Sequence, residues 1–146
     1  MHRVILFFAL ISSLICCNKE EKDLDFSISL VDTFPLIISE FQENIVVKIK
    51  YQHSEGYIGF SNPDVLSLEI KDSRLVNSDY FHLIPLNPPS QSLSVKGEIE
   101  IEIDSPFILG NENIQSESLF YSIRIQDNNS KWSNLIETPQ ITVNRL

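Results

Sequence analysis

Chemistry in a small protein needs reactive side chains held close together, and the candidates here are few. Cys16 and Cys17 are adjacent. No CxxC pair and no histidine cluster lies near them, so they imply neither a metal site nor a disulfide framework. Beyond His2 the chain has only His53 and His82, and it contains no G-x-S-x-G elbow. Nucleophilic catalysis by a Ser–His or Cys–His set therefore lacks its partners. Glu98, Glu100 and Glu102 offer paired carboxylates of the kind used in glycoside hydrolysis. Their i, i+2 spacing instead puts all three on one face of a strand, where like charges keep a sheet edge soluble and protected. Trp132, the single tryptophan, lies among polar loop residues, and Tyr57 and Phe60 lie in another loop. Exposed aromatics of this kind stack on sugar faces or anchor a protein partner; the alternative for Trp132 is to fold back over the end of the domain. The chain is expected not to be an enzyme and to carry no metal or cofactor.

Composition narrows the partners. Of 146 residues, 20 are acidic and 11 basic, a net charge of -9. Nucleic acid, whose phosphates require a basic face, is excluded as an expected partner. With 42% hydrophobic residues and only 4 Gly, an ordinary single globular domain is expected.

The amino terminus has a different purpose. Met1-His2-Arg3 precedes an apolar run of 14 residues, Val4 to Cys17, followed at once by Asn18-Lys19-Glu20-Glu21-Lys22-Asp23. A membrane-spanning helix needs about 20 apolar residues, so this run fits a secretory signal better than a permanent anchor. Leu14-Ile15-Cys16-Cys17 resembles the bacterial lipoprotein box, with Cys16 where a small residue such as Gly, Ala or Ser usually stands. The resemblance implies cleavage after Cys16, a diacylglyceryl thioether on Cys17 and N-acylation. Several acyl chains on one residue give stable anchoring. Residues 1–16 are then the signal peptide, and 17–23 the lipidated cysteine and charged tether. Lys19-Glu20-Glu21 resembles the Lys-plus-acidic surface-export signal of Bacteroidota lipoproteins, which implies outer-membrane attachment and display on the cell surface.

From Asp25 onward the hydrophobic period is two. Phe26, Ile28 and Leu30 alternate with serines; Ile45, Val47, Ile49 and Tyr51 alternate with Val46, Lys48 and Lys50. Leu66, Leu68 and Ile70 form a third run, and residues 80–84 a looser fourth. Ile99, Ile101 and Ile103 against glutamates form the fifth; Leu119, Tyr121, Ile123 and Ile125 the sixth; Ile141 and Val143 the seventh. Clusters of Pro, Asn, Asp and Ser separate them, for example Asn87-Pro88-Pro89-Ser90 and Asp127-Asn128-Asn129-Ser130. Ser39-Glu40-Phe41-Gln42 matches a capping box, but a strand pattern follows it, so no helix is expected. Seven short strands predict a single antiparallel β-sandwich over residues 24–146.

Three passages carry a family likeness: residues 40–51 as the entry into the second strand, His53-Ser54-Glu55-Gly56-Tyr57-Ile58-Gly59 with Pro63-Asp64 as a loop, and residues 125–143 as the last turn and strand. They resemble the immunoglobulin-like, fibronectin-III-like lipoprotein domains of Bacteroidota. The resemblance implies a fold. In that family the loop is an acidic, Gly-centred run that can wrap Ca²⁺ with oxygen ligands. Here its three acidic positions read His53, Glu55 and Tyr57, which leaves one carboxylate and a plain connecting loop as the expectation. The expected function is that of a lipid-anchored, non-catalytic binding or assembly module for a protein partner. The alternative is a glycan-binding accessory module of a polysaccharide-uptake system, using Trp132, Tyr57 and Phe60.

Overall fold

The alternation in the sequence becomes strand pairing in the computed structural model, which describes residues 25–85 and 94–146. Cys17, the signal segment 1–16 and the tether 17–23 lie outside the described residues. Among the described residues there is no helix, and hence none long and apolar enough to cross a membrane. Ten strands are present: β1 (Phe26–Phe34), β2 (Ile37–Ser39), β3 (Ile45–His53), β4 (Leu66–Asp72), β5 (Asp79–His82), β6 (Val95–Ile103), β7 (Ser116–Leu119), β8 (Tyr121–Ile125), β9 (Ile136–Glu137) and β10 (Ile141–Asn144).

They form three sheets, ordered β1-β3-β6, β2-β10-β7 and β5-β4-β8-β9. The expected count of seven is corrected to ten because the sixth run is cut in two and two short segments outside the runs, β2 and β9, pair separately. Pro35, after a cis Phe34–Pro35 bond, has no N–H to give the ladder and ends β1. The chain then passes from β3 to β10, where β2 pairs in parallel; the sheets are therefore not wholly antiparallel. The sixth run breaks at Phe120, whose N–H donates to the Ser73 hydroxyl (3.0 Å) and whose carbonyl accepts the Ser73 N–H (3.0 Å). Beside that break, residues 138–140 around Pro139 separate β9 from β10. There the Tyr121 N–H donates to Thr138 Oγ1 (2.9 Å), so a side chain replaces the missing ladder bond.

The inward residues of all three sheets meet in one core. Phe26, Ile28, Ile45, Val47, Ile49 and Ile101 come from the first sheet, Leu68, Ile70, Ile123 and Ile125 from the largest, and Ile38, Leu119, Ile141 and Val143 from the third. This is an all-β architecture consistent with a β-sandwich. Ser39–Gln42 closes a turn, as expected without a helix: the Gln42 N–H donates to Ser39 O, the Ser39 N–H donates to Glu43 Oε2 (2.7 Å), and Phe41 takes a positive φ of 61°.

Candidate functional site

Two places in this fold gather functional groups. One is the pole at which β1 begins. Residue His53 ends β3 and Asp127 follows β8, and each continues the inward parity of its strand. Both are buried, and His53 Nε2 lies 3.0 Å from Asp127 Oδ2. Because the Glu55 N–H donates to His53 Nδ1 (3.1 Å), the ring proton sits on Nε2 and is donated to the carboxylate. Asp127 Oδ1 accepts the N–H groups of Asn129 and Lys131, both at 2.8 Å. The pair therefore fastens the turn 127–131 to the end of β3. Among the described residues no group of three or more His, Cys, Asp or Glu side chains is arranged to hold a metal ion.

Two of the three aromatic candidates lie beside this pole. Tyr57 exchanges bonds with Asn128: its N–H donates to Asn128 Oδ1 (3.1 Å) and its carbonyl accepts the Asn128 N–H (3.0 Å). Trp132 pairs with Gln126 across the same turn, so the structure brings the Tyr57 loop and the Trp132 hairpin side by side. Phe60 is tied elsewhere, its N–H donating to Leu83 O (2.9 Å). All three are half-buried. One face of the Trp132 ring is taken by the Arg124 guanidinium, 4.6 Å from its centroid, which closes that face to a ligand. Arg124 is itself paired with Glu69. Burial alone pushes the Glu69 pKa up, but hydrogen bonds from Arg124 and Ser78 bring it below the usual carboxylate range. Gly59 needs its lack of a side chain: φ is 84° and a Cβ there would collide with the Ile84 carbonyl.

The second place, which the sequence does not announce, is a groove of about 560 Å³ between the edge strands β5 and β6. Leu68, Ile70, Phe81, Ile99, Ile101 and Ile103 give it apolar walls, and Tyr121 lies among them. This is the size range of ligand clefts, which are mostly apolar with a few placed polar groups. The groove is closed at one end by Arg74. Its Nη2 donates to Asp72 Oδ2 (2.7 Å), and its Nη1 donates to Glu117 Oε2 and to Phe107 O (both 2.8 Å). Glu117 in turn accepts the N–H groups of Leu109 (3.0 Å) and Gly110 (2.7 Å). These bonds, Leu109 first, hold the Glu117 pKa below the usual range against the opposing effect of burial. Arg74 thus locks the β4–β5 turn to the loop before β7. Phe107, 46% exposed, forms the lip of the groove and stacks on Phe41, 61% exposed, with centroids 5.4 Å apart.

The Tyr121 hydroxyl makes no hydrogen bond to any described residue, so it does not pin a neighbouring connection as a tyrosine corner would. Burial, and then the charge of Asp72, push its pKa up to about 12, with Arg74 opposing. An unfolded chain ionises this phenol near 10. Its contribution to stability is therefore complete below pH 10 and is lost as pH rises towards 12, by at most about 2 kcal/mol. Urea midpoints measured from pH 8 to 11.5 should fall less steeply in Tyr121→Phe than in the wild type. Equal slopes would contradict the burial of this phenol.

Comparison with protein-family models, curated proteins and solved structures finds no match to this chain.

Proposed function

We infer that the chain is a lipid-anchored cell-envelope protein whose immunoglobulin-like domain is a non-catalytic binding or assembly module. The apolar groove between β5 and β6 carries the binding part of this reading, because it leaves Phe81 and Phe107 on one accessible surface while Arg74 is held in ion pairs with Asp72 and Glu117. Strand order supports the immunoglobulin-like assignment. β1, β3 and β6 share one sheet, and β4, β8 and β9 are neighbours in another, as strands A, B, E and C, F, G are in that fold. The anchor part rests on Leu14-Ile15-Cys16-Cys17 and the charge that follows.

Two measurements on intact cells separate the two parts. Metabolic labelling with a tagged fatty acid should mark the wild type and spare Cys17→Ser. An unlabelled wild type still held in the membrane would mean that the apolar run itself is the anchor. A lysine-reactive crosslinker applied to the same cells should give a discrete adduct with a second protein, and a chain that stays monomeric at every crosslinker concentration would argue against a binding module.

A further inference from the structure

Among the described residues β6 has a neighbour on one side only. It is nine residues long and pairs with β3 along its whole length, from Val95 opposite His53 to Ile103 opposite Ile45, without a register shift. On its other side no described residue pairs with it. An exposed edge of this kind is a template for another strand, and proteins usually blunt it with prolines, bulges or short length. β6 has no proline, no bulge and full length. Its inward side chains Ile99, Ile101 and Ile103 form one wall of the groove, and Phe81 and Leu83 belong to the other. A strand added here would send alternate side chains into the groove and the rest outward beside Glu98, Glu100 and Glu102.

β3 shows what such a strand must carry. It sets Lys50 opposite Glu98 and Lys48 opposite Glu100, and sets Ile49 and Val47 opposite Ile99 and Ile101. Lys48 Nζ reaches Glu100 at 2.9 Å, yet the Glu100 side chain remains 63% exposed. Its charge is therefore open to a second cation from the free side. A second copy of this chain fits poorly. A two-fold antiparallel pairing over the whole strand sets Glu98 against Glu100 twice, a repulsion that its two Lys96–Glu102 pairs only offset, and sliding it to centre on Glu100 sets Glu100 against Glu100 and Glu98 against Glu102; like charges directly opposite destabilise a ladder, so neither register gains what a basic strand gains. Residues 83–94 contain no Lys or Arg and cannot supply the pattern either.

We propose that the free edge of β6 and its groove bind an extended segment of a partner protein with alternating aliphatic and basic side chains, added as a fourth strand to the β1-β3-β6 sheet. This deepens the binding reading above and rests on it. Main-chain bonds to the edge give affinity; the groove and the glutamates select the sequence.

The test uses the full chain in phosphatidylcholine nanodiscs and, as probe, a capped peptide with the sequence of residues 45–51, read by fluorescence anisotropy and amide hydrogen exchange. Saturating peptide should slow exchange across residues 95–103. The combined Glu98→Gln, Glu100→Gln and Glu102→Gln variant should bind about tenfold more weakly, from the two cross-strand charge pairs that the peptide's two lysines lose. A peptide with Glu in place of each Lys should not bind. Unchanged exchange in β6, binding indifferent to peptide charge, oleate excluding the peptide from the groove, or sedimentation of the chain as a dimer through β6 would each overturn the proposal. Loss of the peptide result with the cellular adduct retained removes only the strand-binding edge. Loss of both removes the binding module itself.

Discussion

Asp127→Ala is expected to lose about 2–4 kcal/mol of stability, the range for removing a buried carboxylate that accepts three hydrogen bonds. Asp127 is 2% exposed and His53 6%, so both side chains lie almost wholly out of solvent. The substitution strands the His53 Nε2–H, and it also removes the acceptor for the N–H groups of Asn129 and Lys131. Buried donors left without acceptors carry their full desolvation cost. Asp127→Asn keeps one oxygen for the turn and should lose only about half as much. Urea unfolding followed by Trp132 fluorescence measures both. A loss below about 1 kcal/mol in Asp127→Ala would show that the pair does not hold the pole together.

Ile101→Asp should abolish the native fold, whereas Glu100→Gln, one residue away, should change stability by about 0.5 kcal/mol or less. The contrast follows from the pleat. Ile101 is 7% exposed and sits opposite Val47 in the core, while Glu100 points outward to Lys48. A side chain cannot change face without a register slip that turns every neighbour over. Circular dichroism should show a β spectrum for Glu100→Gln and its loss for Ile101→Asp. Equal tolerance of both changes would mean that β6 does not close the core.

The strands that the sequence declares are those with strong contrast between faces. Ile45 to Tyr51 and Ile99 to Ile103 alternate with lysines and glutamates, so period two is visible in one pass, and both pair in that register. β2 and β9 have three and two residues, too few to show any period. The breaks at Phe120 and near Pro139 come from local side-chain bonds and a missing N–H, which patterning does not weigh. Tyr57, Phe60 and Trp132 were legible as loop aromatics, but only tertiary pairing shows that Tyr57 and Trp132 share a pole and Phe60 does not. The His53–Asp127 pair had a signal in the sequence. His53 extends the inward parity of Ile45, Val47, Ile49 and Tyr51, and Asp127 extends that of Tyr121, Ile123 and Ile125; two polar residues at inward positions need each other. The groove had none, because Phe81, Ile99 and Ile101 read as ordinary core and only the separation of the two sheet edges leaves space between them.

The most direct measurement of the account is site-specific photocrosslinking in intact cells, with p-benzoylphenylalanine placed either at Phe107, on the lip of the groove, or at Trp132, on the opposite pole. Aromatic replaces aromatic at both positions, so folding is preserved. Position 107 should give one discrete adduct, crosslinked within an extended partner segment that alternates aliphatic and basic residues, and position 132 should give none. An adduct from position 132 alone, or none from either, would contradict the account.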